Sequence, residues 1–153
     1  MNKQVAGVLA LFISAAAYGD VSVIDTHVSK EPLMFEVTIE NEAPKAVARG
    51  YIAARFITPG REVPWVESWE QSYSVPGGIE HGEVYTLELA APPEIADIRD
   101  YEVAAEVFFF SAFSMDRAPL NDDAEFVVAE LERHRLESEA LQAELDELME
   151  NAK

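Results

Sequence analysis

The chain contains no cysteine. That excludes disulfide staples, thiolate metal sites, a cysteine nucleophile and the thiol that would carry a bacterial lipid anchor. Whatever folds must be held by its own apolar core. Basic residues are also scarce: 11 Lys and Arg stand against 29 Asp and Glu, a formal net charge of −18. Such a surface repels phosphate backbones and anionic headgroups, so neither nucleic acid nor a membrane surface is expected as a partner. Basic proteins or loosely held divalent cations suit it better, although solubility alone accounts for the charge. No apolar run reaches the roughly 20 residues that a membrane-spanning helix needs.

Chemistry-bearing patterns are missing as well. The three histidines, His27, His81 and His134, lie far apart, and none has a second histidine at metal-ligand spacing. Each is expected to be a surface or structural residue. No serine sits in a G-x-S-x-G turn. Carboxylates are so frequent that no pair stands out as acid and base. Asn121-Asp122-Asp123 lacks the spaced oxygens of a calcium-binding loop and reads more simply as helix capping. The expectation is a protein that is not an enzyme, with no catalytic residue, no cofactor and no metal.

What is present begins at the N-terminus. Lys3 is followed by an unbroken apolar and small stretch from Val5 to Ala17, then by the small-residue patterns Ala15-x-Ala17 and Ala17-x-Gly19. That is the pattern of a secretory signal peptide, residues 1–19, cleaved before Tyr18 or Asp20. The expected location is periplasmic or secreted, with a free mature chain of about 130 residues, enough for one core.

From residue 20 to about 115 the apolar residues alternate with period two, the mark of half-buried strands. Phe35, Val37 and Ile39 share a face, as do Ile52, Ala54 and Phe56, opposite Arg49, Tyr51 and Arg55. Trp69, Gln71, Tyr73 and Val75 form a third set, Tyr85, Leu87 and Leu89 a fourth. The fifth is Tyr101, Val103, Ala105, Val107 and Phe109, which turns Phe108 and Phe110 outward. Val21 to Val28 alternates poorly and suits an edge. Turn residues separate the runs and no helical pattern intervenes. The expected fold is mainly β, an antiparallel immunoglobulin-like β-sandwich of about seven strands. The stretch PGGIEHGE, from Pro76 to Glu83, reads as a corner: Pro76 closes a strand, Gly77 and Gly78 turn the chain, and Ile79 plugs the core. An anion-cradling glycine loop would need a helix after the glycines, and a strand follows instead.

Two motifs carry a resemblance. TPGREVPW, Thr58 to Trp65, together with PGGIEHGE resembles a group of small bacterial exported or lipoprotein-type domains with PGR-x-VPW and PGGIE-x-GE segments. These are similar to FxLYD-type immunoglobulin-like sandwiches. The resemblance spans roughly Val21 to Leu89 and implies the fold, not an activity. His81 stands where the group's corner has proline.

From Asn121 the pattern turns helical, with Asp122 and Glu125 read as a capping box. No proline or glycine interrupts residues 121–153, which predicts a rod of about 45 Å. Ala124, Val127, Leu131, His134, Ser138, Leu141, Leu145, Leu148 and Ala152 follow at alternating spacings of three and four, a coiled-coil seam. Glu130, Glu137 and Glu144 flank it, and Arg135 lies where a parallel partner's Glu130 would meet it. The competing expectation folds the helix back on the sandwich with a frayed acidic tail, and the reading between the two docks only the first helical turns, with Phe126, Val127 and Val128 covering Phe108 and Phe110 while Leu141 to Leu148 protrude.

The sequence thus favours a non-catalytic exported interaction or structural module. It would self-associate or bind an envelope partner through a seam that includes Leu131, His134, Leu141, Leu145 and Leu148. The alternative is a small-ligand or carbohydrate-binding sandwich that uses the loop from Arg61 to Trp65, with Tyr51 and Trp69 nearby, because arginine and tryptophan on a rigid loop are good anchors. The plainer role for that loop has Trp65 plugging the core and Arg61 pairing with a carboxylate.

Overall fold

The computed structural model describes residues 21–151, so the expected signal peptide lies outside the described residues. Six strands are followed by one helix: β1 Val21–Lys30, β2 Leu33–Asn41, β3 Val47–Ile57, β4 Val66–Ile79, β5 Val84–Leu89, β6 Ala104–Phe113 and α1 Asp122–Asn151. The strands form two antiparallel three-stranded sheets, β1-β2-β5 and β4-β3-β6. Among the described residues six strands are present, not about seven.

The alternation read from the sequence explains the core. Phe35, Val37 and Ile39 of β2 are buried opposite Ile52, Ala54 and Phe56 of β3. Phe35 and Phe56 meet edge to face at 5.2 Å, bridging the two sheets. Each such fully buried side chain contributes about 1.5–3 kcal/mol. Polar bonds close the flanks. Trp69 Nε1 donates to the Ala90 carbonyl at 3.1 Å, and Thr26 Oγ1 donates to the Ala105 carbonyl at 3.0 Å. Lys30 Nζ donates to the carbonyls of Ile98 and Tyr101, holding the crossover from β5 to β6 in which Ile95 is buried. Tyr101 itself is exposed and precedes the strand, and Tyr85 is 43 % exposed. Both depart from the expected core faces: β5 pairs only with β2 at the edge of its sheet, and β6 starts at Ala104.

The corner also differs. Pro76 does not end the strand; β4 continues to Ile79, which pairs with Val47. Val75 to Gly78 bulge opposite Ala48, with Gly77 and Gly78 at φ 83 and 78. A β-carbon on Gly78 would lie 3.2 Å from the Val47 carbonyl oxygen. Proline is tolerated there because β4 is an edge strand and the bulge needs no donor. The buried Asn41 rivets this corner: its Nδ2 donates to the carbonyls of Ile79 at 2.6 Å and Lys45 at 3.1 Å, and its Oδ1 accepts from Ala43 N–H at 2.9 Å. Among the described residues every buried side-chain nitrogen and oxygen has a partner.

Candidate functional site

Three placements create the surface of interest on the outer face of β4-β3-β6. The first is a bulge in β6. Phe109 pairs with Ala53 and Val107 with Ala54, which leaves Phe108 unpaired between them. The facing of the strand therefore switches at Phe108. Phe110, expected outside, is buried and stacks on Tyr73 at 5.9 Å, whereas Phe108 is 56 % exposed and Phe109 faces outward. Burial pushes the Tyr73 phenol well above its ordinary pKa, and its hydroxyl donates to the Ser111 carbonyl at 2.9 Å across Gly50.

The second placement is the anchor of α1. Asn121 is the cap, not Asp122: its Oδ1 accepts from Ala124 N–H at 3.0 Å. The same oxygen accepts from Ala112 N–H at 3.1 Å, and Nδ2 donates to the Phe110 carbonyl at 2.7 Å. Asp123 Oδ2 accepts from Phe110 N–H at 2.8 Å. One asparagine and one aspartate thus pair with the free edge of β6 and cap the helix at once. Just before them, the loop after β6 is tied at Asp116. The Ser114 hydroxyl, and then the Lys45 ammonium, lower the pKa of the Asp116 carboxyl to about 2.

The third placement is the course of α1. Ala124 is its one buried residue, and Val127 lies half-buried against the sheet. Phe126 is 60 % exposed, so it does not cover Phe108. The anchoring bonds reach only residues 121 to 124, and that sets which helical face meets the sheet. Every residue from Leu131 to Asn151 is exposed. Arg133 pairs with Glu130 and Glu137, and Arg135 with Glu132 and Glu139. The charges expected to meet across a parallel pair, Arg135 and Glu130, are thus engaged within their own helix. His134, with Nδ1 3.6 Å from Glu137 Oε2, and Leu141, Leu145 and Leu148 share the exposed stretch.

Between α1 and the outer sheet face lie two adjoining hollows of about 580 and 480 Å³ that share Tyr51, Ser72 and Val127. Phe108 and Phe109 line the first; Phe113, Leu131 and the arginines Arg49 and Arg117 line the second. Sequence reading missed Phe113, Arg117 and Asn121 as parts of this surface. Only the asparagine before two aspartates carried a signal, and it pointed to a cap rather than a strap.

The residues of the alternative site are not brought to one surface. Trp65 packs against the core, meets Tyr101 at a tilt with ring centroids 5.9 Å apart, and donates from Nε1 to Thr58 Oγ1 at 2.9 Å. Arg61 lies over the Trp65 ring, 3.6 Å from its centroid, instead of pairing with a carboxylate. Trp69 packs against the core, whereas Tyr51 points out of the opposite face of the same sheet. His81 Nδ1 lies 3.1 Å from the carbonyl oxygens of Glu42 and Ala43, in the place of the group's proline. Among the described residues no three His, Asp or Glu side chains are grouped to hold a metal, and no helix is long and apolar enough to cross a membrane.

Compared with protein-family models, curated proteins and solved structures, the chain finds no match in any of the three.

Proposed function

We propose that the protein is an exported, non-catalytic interaction module that works by association through α1. The carrying observation is the state of the distal helix. From residue 140 to residue 151 no ion pair supports it among the described residues, its last turn holds no basic residue, and Leu141, Leu145, Leu148 and Met149 are all exposed. A helix end without ion pairs or tertiary packing frays in water, and acidic residues near its C-terminus oppose the helix dipole. A partner that covers the leucines supplies what the segment lacks.

The sandwich has an immunoglobulin-like reading. What supports it is the order β1-β2-β5 against β4-β3-β6, which suits such an arrangement with its last edge strand reduced to the residues before α1. The Leu120 N–H to Ala112 carbonyl bond and the bridge between Phe113 and Pro119 stand in for that strand. The alternative, a glycan or small-ligand site at Arg61 and Trp65, is disfavoured because each of these side chains already occupies the binding face of the other.

Light scattering tests the reading. The chain without its signal segment is expected to be a dimer or larger, and deletion from Ala140 onward is expected to leave monomers. A monomer at every accessible concentration would sink the proposal.

A further inference from the structure

The outer-face groove and the distal helix are complementary. The groove is apolar at Tyr51, Phe109 and Phe113, with Arg49 and Arg117 at its rim. Neither arginine has a carboxylate partner among the described residues; Arg49 reaches only the Met115 sulfur, at 3.9 Å. In a chain with 29 acidic residues, two such arginines lining one hollow mark a place left open for negative charge. The distal helix is the reverse. Its leucines are exposed, and residues 137 to 151 carry Glu137, Glu139, Glu144, Asp146, Glu147 and Glu150 with no Lys or Arg.

We infer that the occupant of this groove is a second copy of the same chain: two α1 helices pair antiparallel about Ser138, and each lays its Leu141–Leu148 seam over the outer sheet face of the other. This rests on the self-association proposed above and adds its orientation and its docking site. Leu131 and Leu145 lie equally far to either side of Ser138, so the seam of one helix sets Leu145 beside Leu131 of the other. Leu148 then falls level with Val128, one residue from Val127. Val127 and Leu131 are the seam residues that already line the groove. The same register sets Arg133 level with Ala143, one residue from Glu144, and sets Glu147 and Glu150 level with Ala129 and Phe126, on the stretch of α1 whose Val127, Val128 and Leu131 line the hollow with Arg49 and Arg117. A parallel pair would instead align two distal segments that contain no basic residue, and like charges face to face are unfavourable.

The absence of cysteine makes the test direct. Full-length Leu131→Cys and Leu145→Cys, both at exposed positions, are mixed and mildly oxidised, and the linked species are identified by mass. The mixed 131–145 disulfide is expected to dominate. His134→Cys with Leu141→Cys gives a second reading should Leu131→Cys weaken the pair. Dominant links of each variant to itself would overturn the antiparallel register and leave the self-association intact, as would a dimer by light scattering that forms no mixed link. A chain that scatters as a monomer removes both. The groove has its own arm: Tyr51→Glu with Arg49→Glu should weaken the dimer roughly tenfold or more by sedimentation. An unchanged dissociation constant, with the 131–145 link still formed, would take the helix out of the groove.

Discussion

The sandwich and the rod are held together by opposite means. In the sandwich almost every stabilising contact is distant in sequence: Phe35 meets Phe56, Asn41 reaches Ile79, and Tyr73 reaches Ser111. In α1 beyond Leu131 every side-chain bond is local, made by arginines that bond carboxylates three and four residues away and by Gln142 with Asp146. Long-range burial gives a cooperative unit that one wrong atom can break. Local pairs give a helix that tolerates almost any surface change, and whose far end depends on what covers it.

The most damaging change should therefore be the smallest one in the sandwich. Gly50 pairs with Tyr73 across the ladder, and an added β-carbon would sit 1.8 Å from the Ser111 carbonyl oxygen and 2.6 Å from the Tyr73 hydroxyl. Backbone cannot yield as a flexible side chain can. Gly50→Ala is expected to cost more than about 3 kcal/mol, at the upper end of overpacking effects, read as a large drop in melting temperature. A near-normal melt would mean that β3 and β6 adjust more freely than this geometry allows.

Next comes Asn41→Ala. It strands the Ile79 carbonyl and the Ala43 N–H in a buried corner, and unsatisfied buried groups of this kind should cost about 2–3 kcal/mol. Urea unfolding of the variant measures it. Asn121→Ala tests the joint between the two regions. It removes a helix cap, worth about 1–2 kcal/mol, and also frees the edge groups of Phe110 and Ala112. Amide exchange should accelerate in residues 121 to 131 and at Ala112 together. Faster exchange in the helix alone would show that the strap contributes nothing to β6.

These residues show how far the sequence could be read. Phe35, Val37, Ile39, Ile52, Ala54 and Phe56 were legible because regular strands bury every second side chain, and that period is written in the residues. Phe108 to Phe110 were not. A bulge shifts the period by one, and its place depends on how β6 pairs with β3, not on β6 alone. The corner was legible as a bend from its glycines, but the continuation of β4 to Ile79 depends on Val47 across the ladder. For the candidate surface, the seam leucines could be read from spacing, whereas the groove could not. Tyr51, Phe109, Phe113 and Val127 meet there only because Asn121 and Asp123 fasten α1 to the edge of β6.

Two changes in the rod should do least to the fold. Phe126→Asp replaces a side chain that faces water, and its effect on stability should stay within about 0.5 kcal/mol. That outcome separates the present geometry from one in which Phe126 covers β6. Among the described residues, deletion from Ala140 onward removes only exposed ones, so the sandwich should melt as the full chain does at high dilution. The difference belongs in the concentration dependence. If the distal helix joins two copies, binding adds to the stability of the folded state by mass action. The melting temperature of the full chain should then rise with protein concentration, while that of the truncated chain stays flat. Parallel, flat lines for both would leave the rod without a partner under these conditions, and a truncated sandwich that melts far below the dilute full chain would show that the distal helix supports its own domain after all.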